Sequence, residues 1–312
     1  MSRKLVQSKA KTHSLEGEVV HQLSDLKAVV LLAGSVRASN FRRAISRSFV
    51  NLPVTPQHTV IDTWQLQMDA VARQYKIDTL PIRVMLDRST STWQVPPFEH
   101  SSVTISLEQD PFEFRGTGGL LSDLAAQYED HEFLLVANAA QILIGSMTDI
   151  IRDLAAIDAD VAMVSLQDGT PTEIMLIRCG ALRSVAKVGY VDLKEQALPH
   201  IAKNHDVRVV IRDQIAGFPI RTLSGYLDGL REYYRKQKGI TQDHVLYDEE
   251  WRATFELIEK GAAVHESAII HDSVILSGAQ VGSNAVVVRS VVAPTGIIQE
   301  GQSAIDMIVG RA

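Results

Sequence analysis

A glycine turn with arginines close behind it follows the first strongly apolar segment of the chain. The stretch reads "KAVVLLAGSVRASNFRRAISRSFVNLPV" from Lys27 to Val54, and Gly34 ends its apolar run. Backbone N–H groups in such a turn bind phosphate oxygens, and nearby arginines add positive charge. Arg37 and Arg47 are therefore candidate groups for chemistry on a phosphorylated ligand.

A second glycine-rich segment, "RGTGG", runs from Arg115 to Gly119. It lies between a predicted strand and a predicted helix, where the backbone of Gly116, Thr117, Gly118 and Gly119 can approach a bound ligand. The alternative is an ordinary strand-to-helix turn, since glycines are common at such turns.

Alternating strands and helices must position these two segments. Apolar runs predict strands at "KAVVLLAG", "LPIRVML", "SVTISLE", "EFLLVANAA", "DVAMVSLQ", "TEIMLIRCG" and "VRVVIR". Helical spacing predicts helices at "VIDTWQLQMDAVARQ", "GLLSDLAAQY", "MTDIIRDLAAIDA", "DLKEQALPHIAKN" and "TLSGYLDGLREYYRKQKG". This alternation predicts a Rossmann-like α/β domain with a mainly parallel sheet flanked by helices.

A six-residue period replaces this pattern near the C-terminus. Apolar first positions fall at Val264, Ile270, Val281, Val287 and Ala293, and small or apolar fifth positions fall at Ala268, Val274, Ala285, Val291 and Ile297. Both sets are expected to point inward in a short left-handed β-helix of hexapeptide repeats, in which "LSGAQ" is one residue short. A β-meander is the alternative, but its period is two. About two turns are too few to stand alone, so the β-helix is expected to dock on the main domain.

The predicted organisation is a polar lead segment over 1–26, the α/β domain over 27–239, a linker over 240–262 and the β-helix over 263–312. The 312 residues carry a net charge of −6, so general affinity for nucleic acid is not expected. The single cysteine, Cys179, excludes a disulfide framework and a cysteine-rich zinc site. The sequence shows no apolar run of signal-peptide or membrane-span type, so we expect a cytoplasmic protein without membrane contact.

Several motifs, in order along residues 27–310, resemble those of the sugar-1-phosphate nucleotidyltransferases, the family of mannose-1-phosphate guanylyltransferase. "VVLLAG" resembles the first strand and turn of the family, and "SFVNLPV" resembles "KPLLPV". "FRGTGGLLSDL" is similar to "GTAGAL", and "LLVANAAQIL" to "LVVNGDIL". "VGYVDLKEQALPHI" is similar to "DLKEDLLP", and "GFPIRTLSGYLDGL" to "DIGTPEDYLEA". The resemblance implies a nucleotidyltransferase fold.

The resemblance also implies a reaction, in which a sugar-1-phosphate and a nucleoside triphosphate give a nucleotide-sugar and pyrophosphate. In the family a glycine-rich loop wraps the triphosphate, a lysine neutralises charge, and two aspartates hold Mg²⁺. In this chain Ser35 replaces the second loop glycine. No lysine stands at the lysine position, where Arg47 or Ser48 is nearest. The two aspartate positions are Ala140 and Pro219, which have no side-chain oxygen for a hard cation.

Other residues take roles only through the resemblance. Residues 116–119 would lie against the nucleobase, and Asn138 and Glu195 would lie near the sugar. Asp149 and Asp213 are the nearby carboxylates that could replace the missing metal ligands. Metal is otherwise not expected, and Mg²⁺ is implied only if catalysis remains.

The expected function is a catalytically inactive nucleotidyltransferase relative that binds a nucleotide-sugar or sugar phosphate. Such a protein would serve as a regulatory or partner subunit in nucleotide-sugar or polysaccharide metabolism, as a homo-oligomer or with an active nucleotidyltransferase. Two alternatives stay open. One is an active enzyme with a divergent loop, and the other is a scaffold without a ligand.

Overall fold

The fold is that of a computed structural model, which describes residues 23–34, 40–88, 90, 92–93, 95, 98, 101–110, 115–186, 188–239 and 254–310. The first part of the chain contains nine strands: β1 Leu26–Leu32, β2 Leu80–Leu86, β3 Val103–Gln109, β4 Phe133–Asn138, β5 Gln141–Leu143, β6 Val161–Leu166, β7 Pro171–Arg178, β8 Val207–Arg212 and β9 Gly217–Pro219.

Seven of these strands form one central sheet in the order β3-β2-β1-β4-β7-β6-β8. β1 is parallel to both β2 and β4, whereas β7 runs antiparallel to β4 and β6. The prediction of a mainly parallel sheet is therefore confirmed, with β7 as one reversed strand. β5 and β9 form a separate two-stranded ribbon.

Seven α-helices accompany the sheet in the described residues: α1 Asn40–Ile45, α2 Val60–Tyr75, α3 Gly116–Ala125, α4 Met147–Ala155, α5 Cys179–Arg183, α6 Leu198–Ile201 and α7 Leu223–Gln237. A π-helical segment, Leu193–Ala197, leads into α6, so the predicted helix at "DLKEQALPHIAKN" has two parts. Helices α1, α2, α4 and α7 cover one face of the sheet, and α3, α5 and α6 cover the other.

The main elements form for local reasons that the sequence carries. β1 is apolar on both faces because both faces are covered, and five of its residues in a row are buried. α2 begins at a capping box in which the Thr59 N–H donates to the Asp62 carboxylate at 2.7 Å. α7 begins where Thr222 Oγ1 accepts the Gly225 N–H at 3.1 Å. No helix among the described residues is both long and apolar enough to cross a bilayer.

Ten short strands form the C-terminal stack, which we define as residues 256–309. They are β10 Glu256–Ile258, β11 Ala263–Val264, β12 Ile269–His271, β13 Ser273–Ile275, β14 Gln280–Val281, β15 Val286–Val288, β16 Val291–Val292, β17 Ile297–Ile298, β18 Ser303–Ile305 and β19 Ile308–Val309. Three parallel sheets result, in the orders β10-β13-β16-β19, β11-β14-β17 and β12-β15-β18.

The repeat of the stack is 17 residues, as shown by the bond from the Ser290 N–H to Ser273 Oγ. Every coil therefore lacks one residue relative to three blocks of six, and "LSGAQ" is one case of this. The prediction that Ile297 points inward is wrong, because Ile297 is 58% exposed and Ile298 is 3% exposed. The shortened repeat moves the inward position by one residue.

The C-terminal stack docks on the α/β domain, as predicted. It begins at Glu256, within the range expected for the linker, and one of its sheets has four strands. Its residues Leu257, Val274 and Val291 belong to the same buried cluster as the α2 side of the central sheet. The stacked rings of Phe255 and Tyr234, 5.7 Å apart, extend this contact.

Candidate functional site

A cavity of about 250 Å³ lies at the carboxyl ends of β1 and β4. β2 and β3 follow β1 on one side of the sheet, whereas β4 lies on the other side, so the chain changes direction here. Ligands of open α/β sheets bind at such a switch point. The lining consists of Leu32, Thr117, Val136, Ala137, Asn138, Glu173, Met175, Asp192, Leu193, Lys194 and Arg221.

Glu173 connects the polar side chains of this cavity. Its Oε2 accepts from Asn138 Nδ2 at 2.7 Å, and its Oε1 accepts from Arg221 Nη2 at 2.9 Å and from Lys194 Nζ. Burial raises the pKa of Glu173, but the hydrogen bonds from Lys194 and Asn138 outweigh it and leave this pKa below its ordinary value. Glu173 is therefore an ionised carboxylate held by one amide and two cations.

The "RGTGG" segment packs against the chain that leads into the π-helical segment. The Gly118 and Gly119 N–H groups both donate to the Val191 carbonyl, at 2.9 and 3.4 Å. Gly116 has a φ of 68°, and a Cβ on it would lie 2.5 Å from the same carbonyl oxygen. Glycine is required here by close backbone packing, and a nucleobase contact at residues 116–119 stays a prediction.

Thr117 is the residue of this segment that lines the cavity. Its Oγ1 accepts the Leu193 N–H at 3.0 Å, which ties the start of α3 to the π-helical segment. Arg115, beside it, is 8% exposed and forms a two-bond ion pair with Asp123 at 2.8 Å for each bond. These contacts fix the cavity wall on which Thr117 and Leu193 lie.

The opening glycine turn is only partly described. Gly34 follows β1, and a Cβ on it would meet the Asp87 amide nitrogen at 2.5 Å, so the close approach of the β2 end requires glycine. Arg37 and Ser35 lie outside the described residues. Phosphate binding by this turn stays a prediction.

Arg47 contacts the C-terminal stack. Its Nη1 donates to both carboxylate oxygens of Glu259 at 2.8 Å, and Glu259 also accepts the Ser277 N–H at 2.8 Å. Both side chains are largely shielded from solvent. The contacts give Arg47 a structural partner, and a contact between Arg47 and a phosphate stays a prediction.

The two positions expected for metal ligands meet in the fold. The Ile220 N–H, next to Pro219, donates to the Ala140 carbonyl at 2.8 Å, and β5 and β9 pair Gln141 with Pro219. Because neither Ala140 nor Pro219 has a side-chain oxygen, the residues present do not fit a Mg²⁺ ion.

The carboxylates suggested as replacements have other contacts. Asp149 pairs with Arg152 on α4 at 2.8 Å, and Asp213 accepts from Gln167. Within the described ranges, no group of three or more His, Cys, Asp or Glu side chains is placed to hold a metal ion.

Of the two residues expected near a sugar, Asn138 lines the cavity and Glu195 does not. Glu195 is exposed on the π-helical segment, and the preceding Lys194 reaches the cavity instead. Sequence reasoning missed Lys194, Glu173 and Arg221. One signal was available, since Arg221 falls at the glycine of "DIGT" when Pro219 is placed at the aspartate.

No protein-family model and no curated protein match this chain. Among solved structures, one match is the crystal structure of a homologue of Mycobacterium tuberculosis Rv0371c from Mycobacterium sp. strain JC1. The two chains are 14% identical, and the match covers 68% of this chain and 98% of that chain with a TM-score of 0.44.

Proposed function

We propose that the chain binds a nucleotide-sugar or sugar phosphate in the cavity between β1 and β4 and does not transfer nucleotidyl groups. It would act as a regulatory or partner subunit in nucleotide-sugar or polysaccharide metabolism. The observation that carries the proposal is the contact between the Ala140 and Pro219 segments, which adjoins the cavity but offers no metal ligand.

The fold supports this proposal in two respects. A mainly parallel central sheet flanked by helices, followed by a C-terminal stack of short parallel strands, is compatible with the fold that the nucleotidyltransferase resemblance implies. We infer that the sheet is a nucleotidyltransferase fold and that the C-terminal stack is the expected left-handed β-helix.

Loss of catalysis follows from the chemistry of the transfer. Attack on the α-phosphorus concentrates negative charge on the transferred group, and preorganised cations supply most of the stabilisation. A hard divalent cation needs several oxygen ligands, which Ala140 and Pro219 do not provide. Binding of a nucleotide-sugar or sugar phosphate without transfer, in contrast, needs only contacts that are complementary to the bound molecule.

The cavity lining suits a sugar. Leu32, Val136 and Met175 form an apolar surface, and Thr117 and Asn138 contribute polar side chains beside it. An apolar floor with a few oriented polar groups is the usual composition of a small-molecule site.

Two measurements test the proposal. Thermal unfolding should shift upward with one of the GDP-, UDP-, ADP- or dTDP-sugars, because a ligand at 100 times its Kd stabilises by about 2.7 kcal/mol. Asn138→Leu should abolish the shift, whereas Asn204→Leu, on a surface turn away from the cavity lining, should keep it.

The second measurement is pyrophosphate release from each nucleoside triphosphate and a sugar-1-phosphate with Mg²⁺. Sustained release would refute the inactive state and establish the enzyme. Absence of a thermal shift with every nucleotide-sugar and every sugar-1-phosphate would refute the binding function and leave the scaffold.

A further inference from the structure

Two positively charged side chains line the cavity, and the proposed function does not by itself give them a role. Lys194 and Arg221 line the same cavity, and their side chains are 49% and 59% exposed. We propose that these two residues bind the phosphate of the ligand directly, without a metal ion. This rests on the proposed function, since it names how the same cavity recognises the charged part of its ligand.

Convergence of the two cations on one atom is the main support. Lys194 Nζ and Arg221 Nη2 both donate to Oε1 of Glu173, the latter at 2.9 Å. Two cationic groups that reach a single carboxylate oxygen can also reach the oxygens of a single phosphate. Glu173 thus serves as an internal counter-ion that keeps both side chains in place before the ligand arrives.

Both cations have donors beyond those bonds. An ammonium carries three N–H donors and a guanidinium carries five, arranged as a fork that fits phosphate. The described contacts of Lys194 and Arg221 use only part of this capacity, and their exposure leaves the ends accessible from the cavity. Charge-assisted bonds of this kind are stronger than neutral ones.

The position of Glu173 is held firmly. Its backbone lies in the left-handed region with a φ of 60°, which is strained for a residue with a side chain. Surrounding structure must hold such a conformation in place, and strain of this kind occurs at ligand clamps. The Asn138 amide supports the carboxylate from the opposite side at 2.7 Å.

The charges of the cavity walls concern both the cations and their counter-ion. Lys194 and Arg221 bring two positive charges, and the ionised Glu173 offsets one of them before a ligand arrives. The carboxylate of Asp192, which also lines the cavity, accepts the backbone N–H groups of Lys194 and Glu195 at 2.8 and 2.9 Å through Oδ1. It therefore caps the π-helical segment, and this use fixes its position.

Inorganic pyrophosphate is the probe for this site, titrated calorimetrically at low ionic strength. Pyrophosphate should bind in EDTA, and added Mg²⁺ should not be required for binding. Lys194→Met and Arg221→Met should each raise the Kd about tenfold or more. This is the change in affinity expected from the loss of one charge-assisted hydrogen bond. Arg208→Met is the matched control, since Arg208 is exposed on β8 and pairs with Asp206. It should change the Kd less than twofold.

Two further variants separate charge from position. Arg221→Lys should recover part of the affinity, because it restores the charge without the fork. Glu173→Gln should tighten pyrophosphate binding, since it removes the competing carboxylate. Weaker binding in Glu173→Gln would overturn the counter-ion role.

Three outcomes would overturn the proposal: no binding of pyrophosphate, binding only with Mg²⁺, or a Kd unchanged by both methionine variants. Failure of the proposed function looks different. Pyrophosphate would then bind through Lys194 and Arg221 while every nucleotide-sugar and sugar phosphate fails to bind. If Lys194→Met and Arg221→Met both bind a nucleotide-sugar with unchanged affinity, the proposed function would stand and the phosphate site would be refuted.

Discussion

Replacement of Arg47 by methionine tests whether this arginine holds the two parts of the molecule together or serves a phosphate. The Arg47 guanidinium donates to both oxygens of Glu259 at 2.8 Å, and the two side chains are 22% and 13% exposed. Methionine keeps most of the aliphatic stem and removes the charge. The structure predicts a loss of stability and no loss of ligand binding.

The expected magnitude lies between two limits. Exposed ion pairs contribute about 0.2–1 kcal/mol, whereas breaking a fully buried pair costs about 3–5 kcal/mol. Arg47→Met leaves the Glu259 side chain with the Ser277 N–H as its remaining donor among the described residues. Because the pair is shielded but not fully buried, we expect Arg47→Met to lower the free energy of unfolding by about 2 kcal/mol.

A double-mutant cycle with Glu259→Gln isolates the pair itself. Urea unfolding of the four proteins should give a coupling energy of about 1.5 kcal/mol. Arg43→Met is the control, because Arg43 is exposed on α1 and its guanidinium donates a hydrogen bond to Asn40 on the same helix. It should change stability by less than about 0.5 kcal/mol.

A coupling energy below about 0.5 kcal/mol would refute the structural role of this pair. Pyrophosphate titration of the same variants provides the second comparison. Arg47→Met with normal stability and weakened pyrophosphate binding would return Arg47 to the phosphate role that the sequence suggested.

Three further predictions concern backbone packing, coil register and thiol chemistry. Gly116 has a φ of 68° and a carbonyl oxygen 2.5 Å from an added Cβ, so Gly116→Ala should lower the free energy of unfolding by more than about 2 kcal/mol. Gly189 has a φ of 89° in open space, so Gly189→Ala should lower it by about 1 kcal/mol, with both values measured by urea unfolding. Equal costs would contradict the packing argument. Ile298→Thr should lower stability by about 2 kcal/mol and Ile297→Thr by less than about 0.5 kcal/mol, and the reverse order would disprove the 17-residue register. Burial raises the pKa of Cys179 to about 12, so the native thiol stays protonated at about pH 8 and should react with iodoacetamide only after unfolding. Native labelling at the rate of a free thiol would contradict this.

The sequence predicts the layers of the fold well because local patterns determine them. β1 is a continuous apolar run, and the apolar residues of α2 recur at helical spacing on the face that is buried. The reversed direction of β7 was missed, since an apolar strand reads the same either way. The connection between β6 and β7 spans only 167–170, which is too short for a parallel crossover, and this length was the available signal.

The site was predicted less completely, because its contacts join distant parts of the chain. The bonds of Glu173 reach partners 21, 35 and 48 positions away, and Arg47 reaches a partner 212 positions away. No local pattern reports such pairs. Thr117 and Asn138 were found because motifs point to them. Lys194 stands at the lysine of "DLKE", where Glu195 was chosen instead, and Arg221 stands at the glycine of "DIGT", where no charge is expected.

Glycines and metal-binding carboxylates of a motif are under different physical constraints. Gly34 and Gly116 each meet a backbone atom 2.5 Å from any added Cβ, so the fold requires them whether or not a phosphate binds. An aspartate at Ala140 would be buried at a position that is 2% exposed, and without a cation its charge would destabilise the fold. Glycines at these two positions therefore report packing rather than activity. In this cavity the two side chains that bring positive charge are Lys194 and Arg221, and neither depends on those glycines or carboxylates.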